Sequence, residues 1–226
     1  MILLLLVSLY GMLTIKIYIL MAFLPSAILW IFFSKYNQIR SSMVRLMMLP
    51  VIIVVAVASG YFATVKASAE NPKYALDAIA KTAQVTAYDI RYWTGRHAGS
   101  GYSLGELDGS IESMLRLAPQ AINVTLFRPY LWEVNNPLML LSAIESFIVT
   151  LLVLYLIIGK RLAFVKTLIQ ADILFALTFS IIFGFAVGVS TFNFGTLVRY
   201  KIPMMPFFVI ALILILDHLK SPRKLT

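Results

Sequence analysis

The sequence contains no cysteine, and charged residues make up only 13% of its 226 positions. The lack of cysteine excludes disulfides, thiolate zinc ligands and cysteine nucleophiles. The charged share is about half that of an ordinary globular domain, whereas apolar residues reach 61% and the mean hydropathy is +0.90. This composition excludes a disordered chain and a normal soluble domain. It indicates an α-helical integral membrane protein.

The long apolar segments predict where the chain crosses the membrane. A hydrocarbon core about 30 Å thick needs about 20 apolar residues in a helix. The segments that meet or approach this length are 17–33, 49–65, 137–159 and 168–190, with a shorter one at 203–216. Segment 1–15 is apolar but short, and it lacks the basic start and cleavage site of a signal peptide. We therefore expect this chain to be the C-terminal part of a larger protein.

The fold class follows from these segments. We predict an all-α, polytopic helical membrane protein with five full spans, one short N-terminal span and a small helical extracytoplasmic cap. The N-terminal spans occupy 1–65, the cap 66–136, and the C-terminal spans with a basic tail 137–226.

Basic residues predict the orientation. If every span crosses, three basic clusters fall on one side, which should be the cytoplasm; they are Lys35, Arg40 and Arg45, then Lys160, Arg161 and Lys166, then Lys220, Arg223 and Lys224. The cap carries seven basic and seven acidic residues, so the net charge of +9 lies outside it. The charge is therefore a topology signal, and a nucleic-acid partner is not expected.

The cap contains several candidate polar residues. Arg96 and His97 lie in a glycine-rich segment that lacks phosphate-loop spacing but could form a flap over a site. Asp89, Glu106 and Asp108 are available carboxylates, although no spacing marks one of them as a general base. A lone histidine in such a segment is more often solvated than catalytic.

No metal or cofactor site is evident from the cap sequence. His97 has no second histidine nearby, and the usual zinc spacings do not occur. The sequence leaves open whether a divalent metal binds.

We also expect a short helix from Ser110 to about Leu117, capped by Ser110 or Asp108 and ending before Pro119.

The segment 127–133 lies just before a span. Tyr130 and Trp132 suit the headgroup level of a bilayer. Arg128 and Glu133 either pair with each other, or Arg128 holds a lipid phosphate by a two-pronged contact.

Three further features lie in or near the last spans. Glu145 is eight residues into its span, where a charge usually faces a protein interior or a water-filled cavity; it is either a functional carboxylate or part of a helix–helix salt bridge. Gly184 and Gly188 form a G-x-x-x-G close-packing pattern. In the loop 191–202, Arg199 and Lys201 form a basic pair that either binds an anionic headgroup or anchors the loop at the interface.

The run Arg199-Tyr200-Lys201-Ile202-Pro203, followed by Pro206-Phe207, carries a resemblance. It resembles the R-Y-[RK]-x-P-x-x-P-[FL] run before the last helices of many bacterial GT-C-type membrane glycosyltransferases. It is also similar to membrane proteins of surface-polysaccharide clusters, which Phe127-Arg128-Pro129, Trp132-Glu133 and Asn136-Pro137 resemble more closely.

The resemblance implies a protein of the bacterial inner membrane with a cytoplasmic C-terminus. The implied substrate is a sugar linked to polyprenyl phosphate, and the implied reaction is glycosyl transfer or chain assembly on the extracytoplasmic face. The catalytic carboxylate of GT-C enzymes lies in an early extracytoplasmic loop, and this chain has none there. No catalytic residue is therefore carried over, and whether the chain is an enzyme stays open.

Three functional hypotheses follow. In the first, Arg199, Lys201 and Arg128 bind the lipid phosphate, and the residues facing the sugar are Arg96, His97, Asp89, Glu106, Asp108 and Glu133. The second is a transporter or lipid flippase in which Glu145 lines a polar path, which predicts broken helices and internal repeats. The third is a non-catalytic scaffold subunit. The partners expected are membrane lipids, the polyprenyl-linked sugar and polysaccharide-assembly proteins.

Overall fold

The computed structural model describes residues 7, 10, 11, 17–36, 38, 39, 41–70, 72, 75, 78–93 and 100–220. Its α-helices are α1 Ile17–Tyr36, α2 Ser42–Glu70, α3 Ile79–Trp93, α4 Ile111–Arg116, α5 Ala118–Phe127, α6 Pro137–Thr167, α7 Ala171–Thr191, α8 Phe194–Tyr200 and α9 Met205–Lys220. A 3₁₀ turn covers Leu131–Glu133. Over these ranges the only extended pairing is an isolated bridge between Gly101 and Asn193. The predicted all-α class is confirmed.

Within the described ranges, four helices are long and apolar enough to cross a membrane, namely α1, α2, α6 and α7. The helices α8 and α9 form a pair bent by 69°, and counting this pair as one span gives up to five. The five predicted spans agree with this count only if the bent pair crosses as a unit. The predicted short span 1–15 falls almost wholly outside the described residues.

The bend between α8 and α9 corrects the expectation that 191–202 is only a loop. Asn193 caps α8 by accepting a hydrogen bond from the Thr196 backbone N–H (3.2 Å). The helix ends at Tyr200, with Lys201 as its C-cap, because Pro203 lacks a backbone N–H and its ring blocks helix continuation. Pro206 is tolerated in the first turn of α9, where its N–H would have no partner. The chain therefore turns sharply at the lysine.

Helix α7 is the centre of the molecule. It packs against α1, α3, α5, α8 and α9. Half of its apolar window is buried, compared with 11% for α2, which packs against α1 alone among its stronger contacts. The large apolar side chains along α2 are exposed, which is typical of a helix that faces lipid. At the opposite end from the cap, Trp30 Nε1 donates to Asp172 Oδ1 (2.6 Å) and joins α1 to α7.

The glycines of the G-x-x-x-G pattern receive the cap helix α5. Thr125 Oγ1 lies 2.8 Å from the carbonyl oxygen of Gly184. A Cβ atom at Gly188 would lie 2.7 Å from the backbone carbonyl carbon of Ala121 and 2.8 Å from its Cα. Only glycine permits this approach, so the predicted close packing is present and joins the cap to the central span.

A cap segment is also fixed to the corner between α7 and α8. The Phe194 N–H donates to the Ser100 carbonyl (2.8 Å), and the hydroxyls of Tyr102 and Thr191 lie 2.6 Å apart. Phe192 has a left-handed backbone with φ of 40°. This costly conformation is held in place because the Phe192 ring is fully buried against Tyr102. The cap and the bent pair are therefore parts of one packed unit.

Candidate functional site

Lys201 lies at the corner between α8 and α9. Its backbone N–H donates to the Leu197 carbonyl (2.9 Å) and its own carbonyl accepts from Met204 (3.0 Å), so the backbone is held on both sides. The side chain is only 1% exposed. A lysine is almost never buried to this degree without a partner.

The nearest opposite charge is Glu145, on helix α6. Its Oε1 lies 3.8 Å from Lys201 Nζ, which is beyond hydrogen-bond length. Lys201 Nζ is the buried side-chain nitrogen or oxygen that has no hydrogen-bond partner within the described part of the chain. An ammonium has three donors, so this group can still accept a ligand.

The two charges balance each other only in part. Unit charges about 4 Å apart attract by about 4 kcal/mol at an effective dielectric of about 20. Removing an ion from water costs several kcal/mol. Glu145 therefore offsets much of the cost of burying Lys201 without providing its hydrogen bonds. An acceptor with several oxygens would stabilise the ammonium further.

A cavity of about 420 Å³ opens beside this ion pair. Apart from Glu145 and Lys201 its lining is apolar, and it consists of Val149, Val198, Ile202, Met205, Pro206 and Val209. Glu145 is 47% exposed at its mouth. A cation at one place in an apolar groove suits an amphiphile with an anionic head and a hydrocarbon chain.

The pair lies within the membrane-spanning part on the cap side. Glu145 is eight residues beyond Pro137, where α6 begins, which corresponds to about 12 Å along the helix. Its neighbours on the same face, Leu141 and Ile148, are exposed apolar residues. A carboxylate in such a surface contrasts sharply with its surroundings.

Arg128 forms an ion pair within the segment 127–133. Its Nε donates to Glu133 Oε2 (3.0 Å), and its Nη2 contacts Glu133 Oε1. The guanidinium also lies over the rings of Phe194, Tyr102 and Tyr130, at 5.2–5.7 Å from their centroids. Of the two alternatives from the sequence, the structure shows the pair with Glu133. Arg128 as a phosphate ligand stays a prediction.

Glu133 is held ionised by this arrangement. Burial opposes ionisation, but the hydrogen bonds from Arg128 and from the Tyr130 backbone N–H outweigh it and lower the pKa of Glu133. The carbonyl of Arg128 in turn accepts from Ser146 Oγ (3.1 Å). The salt bridge thus holds the two ends of the segment 128–133 together, and the Ser146 hydrogen bond joins this segment to α6, one residue away from Glu145.

Arg199 and Lys201 do not form a pair at the surface. Arg199 is exposed on α8, whereas Lys201 is buried at the corner. Residues two apart on a helix point in different directions, and only Lys201 lines the cavity. The expectation of a basic pair at the membrane surface is corrected in this respect.

The candidate carboxylates of the cap lie apart from this cavity. Asp89 lines a second cavity of about 460 Å³ on α3, together with Tyr88, Arg91 and Tyr92. Glu106 is exposed. Asp108 is exposed too, and hydrogen bonds with Ser110 and Ser113 lower its pKa to about 2. Such a carboxylate is a poor base near neutral pH, and its geometry supports the start of α4.

The predicted cap helix is present, and two candidates lie outside the described residues. Ser110 caps α4, with its Oγ accepting from the Ser113 N–H (3.1 Å), as expected. Arg96 and His97 fall between 93 and 100, so their placement is not part of the description. Within the described ranges, no group of three or more potential side-chain ligands is arranged for a metal ion.

Among the described residues, those that the sequence predicts around a substrate are therefore not all close together in the structure. Among those described, the cavity brings together Lys201 and Glu145, which the sequence placed in a surface loop and in a span. The available signal was that Glu145 is a lone charge within an apolar span, where a charged side chain usually pairs with one of opposite sign.

Comparison of the chain with protein-family models, curated proteins and solved structures yields no significant match.

Proposed function

We propose that this membrane protein binds the phosphate of a polyprenyl-phosphate-linked sugar at Lys201 and acts in the assembly of a bacterial surface polysaccharide. The observation that carries this proposal is the buried Lys201 ammonium, which has no hydrogen-bond acceptor among the described residues and adjoins an apolar groove. Phosphate oxygens would satisfy its donors, and the isoprenoid chain would lie along the aliphatic lining.

The sequence run around Lys201 adds support of a different kind. Lys201 is the third residue of the R-Y-K run that resembles GT-C-type enzymes, and Pro203 and Pro206 of the same run shape the corner that buries it. The proposed reaction is glycosyl transfer or chain assembly on the cap side, which we propose to be extracytoplasmic. Glu145 is the acidic group among the residues that line the groove.

The binding step is testable with purified protein in detergent. The probes are a long-chain polyprenyl monophosphate and the uncharged polyprenol of the same length, measured by native mass spectrometry. We expect the wild type to prefer the phosphate by about tenfold or more, because charge-assisted hydrogen bonds form only with that probe. Lys201→Met should remove this preference while keeping the length and apolar stem of the side chain.

Lys166→Met is the matched control, because Lys166 is an exposed lysine near the far end of α6. It should retain the preference for phosphate. Equal binding of the two probes by the wild type, or an unchanged preference in Lys201→Met, would contradict the assignment of the phosphate to Lys201.

A lipid flippase is the second candidate, and the bent pair favours it. Broken helices with charges at the break are common in proteins that move ions or polar groups across membranes, and Lys201 lies at the 69° bend. Proteoliposomes containing a fluorescent polyprenyl phosphate distinguish the candidates. Loss of leaflet asymmetry that depends on Lys201 would favour flipping, whereas binding without transbilayer movement would favour assembly.

A further inference from the structure

Glu145 occupies the space that an anionic ligand of Lys201 would need. Among the described residues that line the groove, its carboxylate is the only negative group, and it lies 3.8 Å from the ammonium. Glu145 is half exposed at the groove mouth, whereas Lys201 is buried behind it. A phosphate arriving from the lipid side would therefore meet the carboxylate before the ammonium.

The apolar lining of the groove makes a bound phosphate and the Glu145 carboxylate compete for the Lys201 ammonium. The remaining lining is aliphatic or contains methionine and proline, so it provides no polar group that could screen like charges. Arg128 is bound to Glu133, and Arg199 is not among the described residues that line the groove. A phosphate and the Glu145 carboxylate would consequently share the positive charge of Lys201.

We infer that Glu145 is an internal counter-ion that the anionic headgroup of a lipid displaces from Lys201. This inference rests on the proposed function and adds a regulatory role for Glu145 at the same site. In the empty groove, Glu145 keeps the buried ammonium neutralised. On binding, the phosphate takes over that role, and the half-exposed carboxylate turns away from the ammonium.

Glu145 then opposes binding of the phosphate and is not one of its ligands. Glu145→Gln preserves the shape of the side chain and removes its charge. We expect this variant to bind polyprenyl monophosphate about tenfold more tightly than the wild type, because repulsion by a like charge is removed. Binding of uncharged polyprenol should not change.

A full set of variants isolates the effect. Glu145→Met should give the same gain as Glu145→Gln and guards against a folding artefact in either one, with size-exclusion profiles as a check. In the Lys201→Met background, Glu145→Gln should give a much smaller gain, because the ammonium for which the anions compete is gone. Glu112→Gln, an exposed acid on α4, is the matched control and should have no effect.

The outcomes separate this inference from the proposal on which it rests. Unchanged or weaker phosphate binding in both Glu145 variants, with binding still lost in Lys201→Met, would overturn the inference and leave the phosphate site intact. Full binding in Lys201→Met would overturn both. Excess inorganic phosphate should not displace the lipid; displacement at comparable concentration would identify a site for free phosphate and would overturn the assignment to a lipid headgroup.

Discussion

Lys201 and Glu145 form an ion pair of unequal exposure: the ammonium is 1% exposed and the carboxylate 47% exposed, with 3.8 Å between Nζ and Oε1. Loss of the partner charge therefore costs more for the buried lysine than for the half-exposed glutamate. Removing the carboxylate leaves a buried cation without a counter-charge, which is a strongly destabilising change.

The stability of variants at this pair should therefore be non-additive. Glu145→Leu should lower stability by about 1–3 kcal/mol, less than for a fully buried pair because Glu145 is half exposed. The double variant Glu145→Leu/Lys201→Met should recover most of this loss, since no buried charge remains. Apparent melting temperatures in detergent provide the measurement. A double variant as unstable as Glu145→Leu would contradict the rescue expected from removing the buried charge.

The contact between α5 and α7 predicts a graded series of glycine variants. Gly188→Ala should be strongly destabilising, by about 3 kcal/mol or more, because its Cβ would overlap the backbone of Ala121. Gly184→Ala should cost about 1 kcal/mol or less, since its nearest neighbour is the flexible Met204 side chain at 3.3 Å.

Gly159→Ala is the control within this series, because the nearest atom to its Cβ would be 3.6 Å away, which is ordinary contact. It should be neutral or slightly stabilising, since alanine favours a helix over glycine. The ranking is measured by thermal unfolding in one detergent. Equal stability of the Gly188 and Gly159 variants would mean that α5 does not pack as described.

The salt bridge of Arg128 and Glu133 predicts a dependence on pH. The pKa of Glu133 lies below its usual value of about 4.5 in the folded protein. Its contribution is therefore present above that value and is lost as pH falls through the lowered pKa. Glu133→Gln should be less stable than the wild type at neutral pH, by about 1 kcal/mol because solvent screens the pair.

This difference should shrink as the pH falls below about 4.5, the usual value for such a carboxyl group. The check is the melting temperature of both proteins between neutral and acidic pH, with Glu112→Gln to correct for general acid effects. A difference that is constant with pH would argue against an ionised Glu133 as its cause.

The contacts of Ser100 and Tyr102 with the junction between α7 and α8 predict a local effect on stability. Tyr102→Phe removes the hydroxyl that lies 2.6 Å from Thr191 Oγ1 and leaves the ring contacts with Phe192 and Phe194. The expected cost is about 1 kcal/mol, because Thr191 keeps its bond to the Val187 carbonyl (2.9 Å). Hydrogen exchange should rise in the segment 100–104 and at the start of α8. An increase in hydrogen exchange spread evenly over all helices would contradict a local effect of these contacts.

The lengths of the apolar segments predicted most of the fold. The window 137–159 matches the span within α6, and the cap of α4 at Ser110 was read from local residue types. Both features depend on residues close together in sequence. Hydrophobic length and helix capping are local properties, so they can be read from one chain.

The site was less predictable because it depends on a turn and on a distant contact. The turn at Pro203 moves Lys201 from a predicted surface loop into the interior, and Arg199 stays outside. The partner, Glu145, comes from another helix. Whether Arg128 would hold Glu133 or a lipid could not be decided from residue types, because both acceptors suit a guanidinium equally.

The seam at Gly188 also restricts how the sequence can vary. The obstacle to a larger residue there is the main chain of Ala121, not the methyl group of its side chain. Shrinking residue 121 to glycine would therefore leave the obstruction in place, and no compensating exchange at that position can restore the fit. Accommodation would require α5 as a whole to move outward, together with Thr125 and its contact with Gly184. The two positions are linked through backbone geometry, so a search for paired substitutions at 121 and 188 should find none that permit a side chain at 188.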